Sequence, residues 1–360
     1  MKILPQLGER SKTGLVLNNM AIDFANEGKI DRGEQLYRLA KSHFEQAGEH
    51  NTATALGNIA DIVYMRGNLA EAEKLYNQSL EIDASLDRHE PGYILYRSAD
   101  LKLTRGYVRD AHSLAQQAID AMPAQGGSEG LTEAMLELGD ILRVEGNLAG
   151  ARQQIQQVLA VRQKTGEMGG IEEAQAESAQ LALDEGHPAE AESLLRSAIT
   201  EFENEKSDPA AAAAYAGLSQ ALLAQGKLDE ARKAIQRANI LTSSSPDPAS
   251  KFPAAVQLAR VEAAEGQKTT RSAGLAAAIP RLRSVVASAR KLGYYRIECE
   301  ARLALAEAEI KTDLTLSSSQ LEVLAHETHE RGLDLLSHKA QLLAATNQPS
   351  WSARSSPTPP

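Results

Sequence analysis

A single cysteine, Cys299, stands among 360 residues, so no internal disulfide can form. Aromatic residues make up only 4% of the chain, and Trp351 is its one tryptophan. A core this poor in large rings has to be assembled from many close contacts between small side chains. No apolar run is long enough to cross a bilayer, and the opening residues MKILPQLGERSKTG contain no stretch suited to a secretory signal. Together with the lone cysteine, these absences point to the cytoplasm. Positive charge is also short. Against 38 Lys and Arg stand 48 Asp and Glu, for a net charge of −10. Non-specific binding to nucleic acid needs clustered cations, so neither nucleic acid nor an anionic membrane surface is an expected partner.

Signatures of chemistry are missing as well. There is no phosphate-binding GxxxxGK[ST] or GxGxxG loop and no GxSxG nucleophile elbow. The eight histidines are scattered. His326 and His329 in HETH lack the four-residue step that turns two imidazoles toward one metal. Cys299, beside Ala301 and Leu303, reads as a small core residue. No cofactor, metal or catalytic residue is expected. No stretch alternates with the period of a strand.

What the chain does have is a repeat. Gly28, Gly67, Gly106, Gly146, Gly186, Gly226 and Gly266 follow one another at steps of 39 or 40 residues. Five residues after each stands a small residue in six of the seven units: Gly33, Ala72, Ala111, Ala151, Ala191 and Ala231. Seven residues before each stands another: Ala21, Ala60, Ala99, Gly139, Ala179, Ser219 and Ala259. Apolar residues recur between them at three- and four-residue steps, which puts them on one helical face. A glycine suits the left-handed stop of one helix, and paired small residues let the next helix pack closely against it.

The pattern predicts an all-α chain of about eight antiparallel helix pairs. First helices are expected near 14–27, 51–66, 92–105, 129–145, 170–185, 209–225, 249–265 and 294–310. Second helices are expected near 30–47, 69–86, 108–121, 148–165, 188–205, 228–242, 275–292 and 317–346. The last is read as one long capping helix without a glycine turn. Residues 1–13 form a short lead, residues 14–346 the array, and the Ser/Pro-rich residues 347–360 a disordered tail. The segment 268–282 is read as an insertion, with Pro280 where a second helix begins or kinks.

GNIADIVYMRGNLAEAEKLYNQSL (57–80), LGDILRVEGNLAGARQQIQQVL (138–159) and LSQALLAQGKLDEARKAIQRA (218–238) resemble tetratricopeptide repeats. The resemblance lies in the small residue late in the first helix, the glycine turn, and the alanine five residues on. It departs in length, since the common repeat has 34 residues. The family also usually carries a proline after the second helix, which most units here lack. The resemblance implies a right-handed α-solenoid acting as a protein-interaction scaffold, with a protein or peptide ligand in its concave groove. A second possibility is the sensor part of a bacterial transcriptional regulator or kinase system.

Groove positions carried over from the family lie two residues before, one after and four after the recurrent small residue. They give Asn19, Ile22 and Ala25; Asn58, Asp61 and Tyr64; Arg97, Asp100 and Leu103; Glu137, Asp140 and Arg143; and Glu177, Gln180 and Leu183. Tyr93 and Tyr96 are expected on the same face. Asn19, Asn58 and Arg97 resemble part of a clamp for a C-terminal carboxylate, but two further cationic positions of that clamp are Leu15 and Tyr93 here. Glu133, Glu137, Asp140, Glu173 and Glu177 form an acidic stretch that favours a basic or polar segment.

Overall fold

In the computed structural model, residues 3–26, 29–47, 51–85, 91–122, 129–165, 170–243, 245–265, 271–310 and 314–347 are described. Among them seventeen helices follow in order. They are α1 (Ile3–Asn26), α2 (Ile30–Ala47), α3 (Asn51–Met65), α4 (Leu69–Ala84), α5 (Gly92–Thr104) and α6 (Val108–Ala121). Then come α7 (Glu129–Val144), α8 (Leu148–Thr165), α9 (Ile171–Asp184), α10 (Pro188–Asn204), α11 (Asp208–Ala224) and α12 (Leu228–Thr242). The last are α13 (Pro248–Glu265), α14 (Arg271–Leu292), α15 (Tyr295–Glu309), α16 (Leu314–Glu330) and α17 (Asp334–Thr346). The fold is an all-α solenoid of stacked helix pairs.

The turns explain the repeat. Gly67 has φ +79°, and its N–H donates to the Tyr64 carbonyl at 2.7 Å while the Asn68 N–H donates to Val63 at 3.1 Å. These two bonds satisfy carbonyls that the end of α3 would otherwise leave bare. The next residue starts α4 at once, and the Asn68 side chain caps it by accepting from the Glu71 N–H at 3.4 Å. The same pair of bonds recurs after α5, α7, α9 and α11. The turns at Gly28 and Gly266 lie outside the described residues.

The paired small residues sit where neighbouring helices touch. Ala60 and Ala72, Ala99 and Ala111, and Ala179 and Ala191 are all wholly buried. Ser219 Oγ donates to the Ala231 carbonyl at 2.8 Å, so a hydroxyl is buried there without cost to its hydrogen bonding. Odd-numbered helices from α3 to α17 pack side by side in one layer, and the even-numbered ones sit behind them. The odd layer is therefore the inner, concave side of the curve.

Three expected elements differ. Helix α1 begins at Ile3 rather than near 14; Pro5 falls in its first turn, where the missing N–H costs nothing. Helix α14 begins at Arg271, nine residues before Pro280, and runs through that proline rather than starting there. The capping helix is two helices, α16 and α17, divided at Gly332 with φ +82°. Its signal was present, because Ala325 stands seven residues before Gly332 and Ser337 five after. Ser337 Oγ donates to the Ala325 carbonyl at 2.7 Å, repeating the bond between Ser219 and Ala231. Gly332 and Gly293 (φ +83°) lie between pairs rather than within them, so the 40-residue step no longer marked them. The tail with Trp351 lies outside the described residues.

Gly146 has φ +79° and Ala151 is fully buried. Gly146→Val forces a β-branched residue into left-handed backbone and should cost about 2 kcal/mol. Ala151→Glu buries a charge at a helix contact and should cost more, about 3 kcal/mol. Thermal unfolding of each variant measures this, and unchanged midpoints would show that the repeat register is wrong.

Candidate functional site

The concave layer closes on itself. The turn at Gly106 meets Tyr295, so that a Cβ there would lie 2.3 Å from the tyrosine ring. Gly67 meets Pro248 in the same way, and Gly146 faces Leu335. Helix α15 packs on α5, and α17 on α7. Tyr294 joins the apolar cluster of Tyr64, Leu69 and Tyr76, while Leu333 joins that of Val108, Ala111 and Leu138. The C-terminal helices thus rest on the turns of the second to fourth pairs, and the groove becomes a cavity of about 1220 Å³.

Ionic contacts cross the same seam. Arg296 on α15 reaches Asp140 on α7, with Nη1 2.5 Å from Oδ2. Lys339 on α17 reaches Asp184 on α9 at 2.5 Å. Arg143 lies between these carboxylates, donating to Asp140 and, at 2.6 Å, to Asp184. Burial works to raise the Asp140 pKa, but Arg296 and then Arg143 override it and hold the carboxyl far below its usual range. Asp184 is lowered too, with Arg143 and Lys339 outweighing burial.

A second cluster surrounds Asp61. Its carboxylate accepts from the hydroxyls of Tyr76 and Tyr93 and from Arg97 Nε at 2.9 Å. Burial, and then the Asp61 charge, raise both phenols far above the ordinary tyrosine range. Tyr64 donates to Asp100 at 3.2 Å and shares a 2.8 Å bond with Thr104. The rings of Tyr93 and Tyr96 meet edge to face, 5.3 Å apart. Arg97 also stacks near Tyr64 and Tyr96, with its guanidinium about 6 Å from each ring. Arg97 is therefore engaged within the protein.

The residues expected at the groove separate into three groups. Tyr96, Arg97, Glu137, Asp140, Arg143, Glu177 and Gln180 line the cavity. Asp61, Tyr64, Tyr93 and Asp100 stand behind it and hold Arg97. Asn19 is exposed, and Asn58 donates to Asn18 Oδ1 at 3.0 Å. Of the three residues that resemble a carboxylate clamp, Asn58 is bonded to Asn18 and Arg97 is paired with Asp61.

The acidic stretch also divides. Arg162, only 1% exposed, is paired with Glu133 and Glu173. Asp140 is taken by two arginines. Glu137 and Glu177 make no hydrogen bond or ion pair among the described residues, and Glu137 Oε1 is buried without a partner. Burial, then Asp100 and Asp140, push the Glu137 pKa well up. Burial, then Asp140, raise Glu177 to about 7. The residues that sequence reasoning missed are Asp184, Gln257, Arg296 and Lys339. The last two reach the site only because the chain returns on itself, 156 and 155 residues beyond their partners.

A family model described as the MalT-like TPR region matches residues 99–346, and a tetratricopeptide repeat model matches residues 12–85. The chain belongs to the MalT-like TPR family. No curated protein sequence matches this TPR chain. Among solved structures it is similar to a Rap protein complexed with competence and sporulation factor. Identity there is 14%, coverage is 94% of this chain and all of that one, and the TM-score is 0.62. It is similar also to the Rap conjugation gene regulator of the plasmid pLS20, in complex with the Phr* peptide. That match has 14% identity, covers 94% and 99% of the two chains, and has a TM-score of 0.59. At such identity these likenesses establish a shared fold. Among the described residues of the TPR chain, no group of three or more His, Cys, Asp or Glu side chains is placed to hold a metal ion. None of its described helices is long and apolar enough to cross a membrane.

Two outcomes follow from the seam. Removing both cross-seam cations, in Arg296→Ala/Lys339→Ala, should cost about 2 kcal/mol and enlarge the radius of gyration measured by small-angle X-ray scattering. An unchanged radius would show that the apolar contacts close the solenoid alone. The Glu177 carboxyl stays neutral in the fold up to about pH 7, whereas its ordinary pKa is 4.5. Between those values the unfolded chain releases the proton first, so the Glu177 contribution to stability falls as pH rises. Denaturant midpoints should show this loss, and Glu177→Gln should flatten it.

Proposed function

We propose that this chain, a protein-interaction scaffold of the TPR class, is a receptor for a peptide segment held inside the cavity. The observation that carries the reading is the cavity itself, which the middle helices from α5 onward build together with the C-terminal helices. Its walls mix charged side chains with apolar ones such as Phe202, Leu223, Val256 and Leu336. That mixture suits a peptide, whose backbone needs polar partners while its side chains bury apolar area. The two Rap structures of similar fold contain a peptide or a sporulation factor, which supports the same reading here.

A second reading places the receptor within a regulatory system, as the part that senses a signal. It is favoured by the seam. A ligand that bridges residues of α7, α9 and α15 favours the closed form over any opened one and so shifts a conformational equilibrium. One of the similar structures is itself a conjugation gene regulator.

Ala213 lines the cavity and its methyl group faces open space there. Ala213→Phe should narrow the cavity without adding a polar group. The immobilised full chain, incubated with a random heptapeptide mixture, should retain an enriched set of sequences. The variant should retain at least about tenfold less, with an unchanged circular dichroism spectrum. Equal retention by both proteins would move the site elsewhere.

A further inference from the structure

Glu137, Glu177 and Gln257 occupy one position of the repeat, two residues before Gly139, Ala179 and Ala259. They form a row along the concave face on α7, α9 and α13. The same position on α11 is Gly217, which adds no side chain to the wall. The row therefore has two carboxylates at one end, a gap, and an amide at the other. Gln257 is 4% exposed and lines the cavity, yet its Nε2 has no partner. Glu137 Oε1 is likewise buried and unpartnered. Unmade hydrogen bonds on buried polar groups are costly, and two of them facing one cavity call for a ligand that completes them.

The charge balance indicates which ligand. Eight carboxylates and five cationic side chains line the cavity. The five cations have partners: Arg97 with Asp61, Arg143 and Arg296 with Asp140, Arg260 with Glu307, and Lys339 with Asp184. An anionic ligand group would have to compete with these carboxylates for the same cations. A cationic one finds Glu137 and Glu177 waiting.

Resting on the peptide-receptor reading, we infer that the cavity selects a peptide bearing a primary ammonium or guanidinium group. That group seats between Glu137 and Glu177. Beyond the gap at Gly217, the Gln257 amide donates to a backbone carbonyl of the same peptide. Neighbouring helices pack about 10 Å apart, so from Glu177 to Gln257 the ligand spans about 20 Å in extended form. The selection is also set against acidic peptides, because an acidic group among Glu137, Glu177 and Asp140 would face the Asp140 charge and could not draw Glu137 and Glu177 into their ionised forms as a cation does.

The groups facing Glu177 are Asp140 and Arg143 from α7, Arg296 from α15, and Asp184 from its own helix. Those facing Glu137 are Asp100 and Arg97 from α5, Asp140 from its own helix, and Arg296. A cation docking among them favours the ionised carboxylates, so its affinity should rise as pH is raised from 6 to 8.

The test uses the full chain and four random heptapeptide mixtures. The first has free amino termini and all residue types. The second is acetylated at the amino terminus, the third omits Lys and Arg, and the fourth does both. Strong retention from the first and none from the fourth is the expected result. Loss in the second alone assigns the amino terminus, and loss in the third alone assigns a side chain. Retention of the fourth equal to the first, or enrichment of Asp and Glu, would overturn the inference and leave the peptide receptor standing. Retention of no mixture would overturn both. With the best retained peptide, fluorescence anisotropy should show about tenfold or greater weakening in Glu137→Gln/Glu177→Gln. Gln257→Met should weaken binding separately while leaving the preference for a cation intact. Should the double variant fail to fold, the rise in affinity of the native chain between pH 6 and 8 decides, and a flat profile counts against the carboxylate seat.

Discussion

Everything in this solenoid depends on a left-handed glycine that ends one helix and lets the next begin within about two residues. The short turn forces the two helices to lie against each other, and only small side chains fit between them. The same glycines have a second use. At Gly67 and Gly106 the missing Cβ makes room for Pro248 and Tyr295 from the far end of the chain. A turn chosen for its backbone angle thus also provides the flat seat on which the later helices rest.

Closure changes the electrostatics of the groove. In an open solenoid, Asp140, Glu137 and Glu177 would be exposed to water. Shut in by α15 and α17, they lose water and gain Arg296, and their fates diverge. Asp140, with two guanidinium partners, stays ionised, while Glu137 and Glu177 are pushed toward the neutral form. Desolvation acts on all three, and what separates them is the number of charge-assisted hydrogen bonds each receives. A cavity that holds two such carboxylates in reserve has free energy to release when a matching cation arrives.

Arg97 and Arg162 show how the same chemistry is used structurally. Each guanidinium is surrounded by acceptors within the protein, Arg97 by Asp61 and a cage of tyrosines, Arg162 by Glu133, Glu173 and Thr132. In a core with few aromatics, these networks fill volume that rings would otherwise occupy. They also remove from the groove several charges that its primary structure had seemed to offer.

The glycine steps and the small residues around them were enough to read the helices, their pairing and the inner face, because each depends on neighbours within about 40 residues. Asp140, Arg143 and Glu177 were legible as inward-facing for the same reason. The turn at Gly332 carried its signal but lay out of step with the rest. Nothing local could announce that Arg296 meets Asp140 or that Lys339 meets Asp184. Those contacts depend on the accumulated curvature of many stacked pairs, a sum of small rotations that no single repeat encodes. The sequence by itself determined a curved stack of helix pairs with charged residues on its concave side. Only the tertiary structure decided that the curve returns on itself, and hence which of those charges are spent on each other and which are left for a ligand.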